Sequence, residues 1–132
     1  MLEQWSRGQL EAGIAVLALA AALVAPAAFA TASPPKLLGS AAAGRPIFLA
    51  NCAACHTLKA AGADGQIGPD LDRLSLPEAT IIKQVTNGGP ALMGKAAAKY
   101  TTSMVGYKGV LSPAQIDDVA AFVYSAQHPQ PK

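Results

Sequence analysis

Cys52-Ala53-Ala54-Cys55-His56 places two thiols one helical turn apart and follows them at once with an imidazole. This C-x-x-C-H run is the pattern of covalent haem attachment. Each sulfur adds to a haem vinyl group to form a thioether, and the adjacent histidine is held beneath the ring, where a neutral imidazole supplies an iron ligand. Five consecutive residues then staple and ligate one cofactor. Other uses of two thiols fit less well. A structural zinc asks for four ligands, yet the chain has two cysteines in all, and its other histidine, His128, lies in a Pro-rich tail. A thioredoxin-like pair belongs to a βαβ pattern, and no alternation of strand and helix signals surrounds this one.

Working outward, the 132 residues make one domain at most. Without the first thirty, about a hundred remain, enough to bury a modest core. Aromatic residues are only 5% of the chain, so a cofactor packed in its middle supplies much of the apolar surface they do not. The core is therefore expected to be organised around the cofactor. The formal net charge is +2. Outside the first thirty residues, nine Lys and Arg stand against six Asp and Glu, a near balance that gives no footprint for nucleic acid. No Ser/His/Asp set, phosphate loop or paired carboxylates suggests an enzyme.

Gly13 to Ala30 is an almost unbroken apolar stretch, interrupted by Pro26. Ala28-Phe29-Ala30 is an A-x-A cleavage site placed before a polar, Pro-rich segment, as in a signal peptide. Against cleavage, Glu3, Arg7 and Glu11 deny the preceding region a positive charge, and eighteen residues approach the roughly 20 that span a bilayer. Residues 13–30 are read as a retained anchor helix, with a cleaved signal within 1–30 as the alternative. Either way the remainder reaches the outer, periplasmic side of the cell membrane. Residues 31–43, with Ser33-Pro34-Pro35, read as a flexible Pro/Ala linker, and 128–132 as a Pro-rich tail.

Between them, residues 44–127 carry three helical segments. The first leads from Gly44 through Arg45-Pro46-Ile47-Phe48-Leu49 into the cysteines, with Gly44 and Phe48 four apart on one face. The second is announced by Ser75-Leu76-Pro77-Glu78, where Ser75 caps and Glu78 closes a capping box, and it stops at Gly88-Gly89-Pro90. Its Ile81, Ile82 and Val85 face the cofactor or the core. The third starts at Ser112-Pro113-Ala114-Gln115, again S-x-x-Q, with Asp117 and Asp118 near the positive end of its dipole. Ile116, Val119, Ala120 and Val123 recur at i, i+3, i+4 and i+7, a stripe expected to pack on the first helix.

With these residues in place, the chain resembles the class I c-type cytochromes from about Gly44 to Gln127. That family pairs a glycine and an aromatic on its first helix with an aliphatic and an aromatic on its last, where Gly44, Phe48, Val119 and Phe122 stand here. The resemblance implies an all-α fold of three main helices around one covalent haem c, preceded here by one N-terminal hydrophobic helix. It implies that Cys52 and Cys55 form the thioethers and that His56 is the proximal iron ligand. Gly68-Pro69-Asp70-Leu71 resembles the family's segment in which the proline carbonyl accepts a hydrogen bond from that imidazole, so Pro69 would orient His56. The same tripeptide is also an ordinary turn signal.

For the distal ligand, Met104-Val105-Gly106-Tyr107 reproduces the family's methionine frame, with Val105 where proline is usual. Met104 is the expected ligand and Met93 the alternative; His128, beyond the last helix, is a poor candidate. Lys59, Lys95, Lys99 and Lys108 fall in segments that border the haem edge in this family and could steer docking to an acidic partner. The implied function is outer-sphere transfer of single electrons between membrane redox complexes. A quinol-oxidising complex or dehydrogenase would be the donor, and a terminal oxidase or photosynthetic reaction centre the acceptor. A fixed haem subunit of a larger respiratory or photosynthetic complex, and a haem enzyme or gas sensor with an open distal site, are the competing readings.

Overall fold

The computed structural model describes residues 33, 35–91 and 98–131. The expected anchor over 13–30, Met93 and Lys95 lie outside the described residues. Three helices frame the fold: α1, Ala41–Asn51; α2, Glu78–Asn87; and α3, Pro113–Gln127. Between α1 and α2, two-residue strands β1 (Thr57–Leu58) and β2 (Ala63–Asp64) pair antiparallel, Thr57 opposite Asp64 and Leu58 opposite Ala63. This small ladder is an addition to the all-α expectation. It is closed by a 3-10 turn, Lys59–Ala61, that ends on the left-handed Gly62. A second 3-10 turn, Leu71–Arg73, precedes α2.

α1 starts three residues before the Gly44 read from sequence. The Ser40 hydroxyl accepts from the Ala43 N–H, capping the helix, while the Ser40 N–H donates to Asp118 Oδ1 at 2.7 Å. An aspartate of α3 thus docks the start of α1, a long-range contact that no local pattern contains. The helix then carries Pro46 in its interior rather than in its first turn. α3 begins as its sequence indicates: Ser112 and Gln115 form a reciprocal capping box with Pro113 at the first helical position. α2 does not. Pro77, not Ser75, is its N-cap residue and offers no side-chain cap. Ser75 lies two positions too early and bonds His128 instead, and the Glu78 carboxylate turns outward to accept the Leu38 N–H.

α1 crosses α3 most closely at Gly44. A Cβ on Gly44 would overlap the Asp118 carbonyl oxygen and approach Phe122 Cβ to 2.8 Å, so the crossing distance excludes any side chain there. One turn on, Phe48 and Phe122 meet edge to face with centroids 5.7 Å apart. The α3 stripe of Ile116, Val119, Ala120 and Val123 is fully buried, with Val119 at 0% exposure. Leu58 from β1 and Ile81 and Val85 from α2 complete the core. Among the described residues, no helix is long and apolar enough to cross a membrane.

Candidate functional site

The end of α1 delivers the cysteine run to the interior. Cys52 N–H closes the helix on the Phe48 carbonyl, and the next turn is held by Cys55 and His56 N–H groups that both donate to the Cys52 carbonyl, at 3.1 and 3.0 Å. Both sulfurs and the imidazole thereby line a single cleft. The cleft encloses a cavity of about 210 Å³ and opens to solvent at its mouth. The walls are apolar: Leu71, Leu74 and Leu76 from the loop before α2, Ile81 and Val85 from α2, Val119 and Val123 from α3. Met104 and Tyr107 close another side.

His56 is buried, and its Nδ1 lies 2.9 Å from the Pro69 carbonyl oxygen. A carbonyl only accepts, so Nδ1 carries the proton and Nε2 is left with its lone pair free. Gly68, the residue before Pro69, packs against the imidazole: a Cβ there would come within 2.5 Å of Cε1 and 2.9 Å of Nδ1. Its own N–H donates to the Cys55 carbonyl at 2.8 Å, so this loop is fastened to the cysteine turn. Burial first, and the neighbouring Cys55 second, push the Cys52 thiol up to about 11. Among the described residues no group of three or more His, Cys, Asp or Glu is placed to hold a bare metal ion.

Two thiols, one imidazole with a free nitrogen, a thioether and an apolar cleft form a donor set that fits a covalently held haem. The cytochrome c family model matches residues 41–127. The chain belongs to the cytochrome c family. It is a mono-haem class I c-type cytochrome, and the family carries one covalent haem c. The chain is 38% identical over 103 residues to cytochrome c6 of Nostoc sp., a match covering 69% of this chain and 75% of that one. It is 35% identical over 85 residues to cytochrome c6 of Limnospira maxima, covering 64% and 91%. Among solved structures, the c-type cytochrome SorU from Sinorhizobium meliloti aligns with a TM-score of 0.50 at 33% identity, covering 65% of this chain and 88% of that one. These relatives mark the cytochrome as an electron-transfer protein.

One residue of the site escaped the sequence reading. Gln127, at the end of α3, accepts the Leu76 N–H at 3.0 Å and donates to the Leu71 carbonyl at 3.2 Å. It pins the leucine wall from both ends. His128 does not line the cleft; its Nδ1–H donates to the Tyr124 carbonyl, its Nε2 accepts from the Ser75 hydroxyl, and its ring stacks on Tyr124 at 4.1 Å. Both nitrogens are engaged in fastening the last turn of α3. Of the four lysines expected near the cofactor edge, Lys59, Lys99 and Lys108 are exposed, Lys99 with its Nζ 4.8 Å from the Tyr100 ring centre.

Tyr107 occupies the aromatic position of the methionine frame. Its hydroxyl donates to the Asn51 carbonyl at 2.6 Å, bridging the Met104 loop to the last residue of α1. Burial first, and then the nearby cysteines, push its phenol above the usual range, so it remains a donor. Tyr107→Phe in the holoprotein leaves that carbonyl without its partner. A loss of ~1–3 kcal/mol in denaturant unfolding is expected, with the covalent haem unchanged in intact mass.

Proposed function

We propose that this cytochrome carries single electrons between membrane redox complexes on the outer, periplasmic-side face of the membrane. A quinol-oxidising complex or dehydrogenase is the donor, and a terminal oxidase or photosynthetic reaction centre the acceptor. Cys52 and Cys55 hold haem c through thioethers, His56 is the proximal iron ligand, Pro69 orients it, and Met104 is the distal ligand. Residues 13–30 anchor the protein to the membrane.

The observation that carries this reading is the His56 imidazole. Its Nδ1 is committed to Pro69, which leaves Nε2 as the coordinating nitrogen, in a cleft that Met104 also lines. The Pro69 carbonyl fixes the tautomer and the orientation of the ring. The bound haem supplies a one-electron ferrous/ferric couple, whose potential a methionine ligand raises relative to a second imidazole. If His56 and Met104 both held the iron, the protein would offer no open site to a small molecule, which would favour a carrier over a haem enzyme or gas sensor. The apolar walls exclude water, and exposed Lys59, Lys99 and Lys108 supply positive charge for steering toward an acidic partner.

The deciding experiment compares Met104→Ala with Met93→Ala as holoproteins. Met104→Ala is expected to abolish the ferric Met–iron charge-transfer absorption, lower the reduction potential and make the ferrous protein bind carbon monoxide. Met93→Ala should leave all three as in the wild type. A wild-type protein that lacks the absorption and binds carbon monoxide readily would overturn the carrier reading.

A further inference from the structure

α2 ends at Asn87, and the next residue, Gly88, has φ 66° and ψ −153°. That region of backbone space is essentially closed to residues with a side chain. The conformation turns the chain so that Gly89 meets the Met104 segment. Gly89 N–H donates to the Met104 carbonyl and Met104 N–H donates to the Gly89 carbonyl, each at 2.9 Å, forming a closed two-bond antiparallel bridge. Two further bonds follow: Tyr107 N–H to the Val85 carbonyl at 2.9 Å, and Lys108 N–H to the Thr86 carbonyl at 3.1 Å. The whole stretch from Met104 to Lys108 is laid against the end of α2.

The approach is backbone to backbone on both sides. A Cβ on Gly88 would overlap the Met104 carbonyl oxygen and lie 2.6 Å from Gly106 N and 2.7 Å from Val105 C. A Cβ on Gly106 would lie 2.7 Å from Asn87 C and 2.8 Å from Asn87 O. Every one of these neighbours is main chain, so none swings aside as a side-chain tip would. Val105 stands next to Met104 where the family usually has proline, and it is 66% exposed, so neither ring rigidity nor burial of that residue holds the methionine in place. What remains is the docking on α2, whose Ile81 and Val85 form part of the same cleft.

We propose that Gly88 and Gly106 are positioning residues for the distal ligand. Their interlocked backbones set Met104 against the cleft, doing for this chain what proline does elsewhere in the family, and they couple α2 and the Met104 loop into one unit. The inference rests on the reading of Met104 as the iron ligand. It predicts that displacing the methionine and separating the loop from α2 are one event.

The test uses the holoprotein and three variants: Gly88→Ala, Gly106→Ala and, as a control in the same loop, Gly109→Asn, where φ is +81° but an added Cβ meets nothing within 4 Å. The Met–iron charge-transfer absorption of the ferric form should weaken or vanish in the first two and persist in the third. Overlap of this kind should raise affinity for added imidazole roughly tenfold or more, about 1.4 kcal/mol, in the first two only. A merely structural role would lower the melting temperature while leaving absorption and imidazole affinity as in the wild type, and that result overturns the proposal. The wild-type protein supplies a measurement independent of whether the variants fold. On imidazole binding, hydrogen exchange at the amides of Gly89, Met104, Tyr107 and Lys108 should accelerate together, whereas acceleration at Met104 alone overturns the coupling. Failure of the underlying reading is distinct: the absorption would be missing from the wild type, or would be lost in Met93→Ala rather than Met104→Ala.

Discussion

Replacing Phe48 with alanine is expected to remove ~3–5 kcal/mol of stability, a large part of the about 5–15 kcal/mol that holds a domain of this size together. Phe48 is 1% exposed and stands where α1, α3 and the cofactor cleft meet. On one side it abuts Phe122 edge to face; on the other it forms part of the cleft wall beside Cys52. The surrounding groups have little room to collapse into the space it would leave. The Gly44 contact already sets α1 and α3 as close as their backbones allow, and the Ser40 to Asp118 bond fixes the start of α1. A cavity that cannot relax retains its full cost. Urea unfolding of the holoprotein would read the loss as a lowered midpoint with an unchanged slope. Phe122→Ala, alone and with Phe48→Ala, isolates the ring pair, for which a coupling of about 0.5–1.5 kcal/mol is expected. A Phe48→Ala loss below about 1 kcal/mol would mean that the helix crossing is not held by this residue.

The parts of this fold that were legible in the sequence are those whose physics is local. Ser112 and Gln115 lie within one turn and cap α3 reciprocally, and the stripe of Ile116, Val119, Ala120 and Val123 needs only helical periodicity to find one face. Cys52, Cys55 and His56 lie within five consecutive residues, so the thiols and the imidazole reach one cleft through a single turn of backbone. What local pattern could not give is set by distant partners. Ser75-Leu76-Pro77-Glu78 has the form of a capping box, yet Ser75 finds His128 and Glu78 finds Leu38, and the box dissolves into two long-range bonds. The start of α1 at Ala41 depends on Asp118, which is 78 residues beyond Ser40. Gln127 is the last residue of α3, and its amide reaches Leu71 and Leu76, more than fifty residues away, and holds the cleft wall. The glycines divide in the same manner. Gly44 was marked by its spacing from Phe48, whereas the contacts of Gly68 with His56 and of Gly88 with the Met104 loop appear only once the chain has folded back on itself.

Gly68→Val is expected to leave the haem attached and the domain folded while dislodging His56, the proximal ligand in the proposed function. The His56 ring is confined from two directions by adjacent residues: the Pro69 carbonyl holds Nδ1 at 2.9 Å, and Gly68 leaves no room for a Cβ above the ring, with Cε1 at 2.5 Å and Nε2 at 3.1 Å from where it would sit. The loop has little freedom to retreat. Gly68 N–H is bonded to the Cys55 carbonyl, and the Thr57 hydroxyl donates to the Gly65 carbonyl at 2.9 Å. Moving the loop breaks those bonds; moving the imidazole breaks the bond to Pro69 and takes Nε2 out of line. The second is the smaller disruption, because one side chain turns while the backbone stays. Overpacking of this kind costs about 1–3 kcal/mol, less than Phe48→Ala, so the fold should persist. Cys52 and Cys55 are untouched, and the intact mass should still include one haem. Ferrous Gly68→Val should then bind carbon monoxide more readily than the wild type, and Gly68→Ala should show the same effect to a lesser degree. If Gly68→Val keeps the wild-type spectrum and excludes carbon monoxide, the loop has yielded instead of the ring, and Gly68 does not govern how His56 meets the iron.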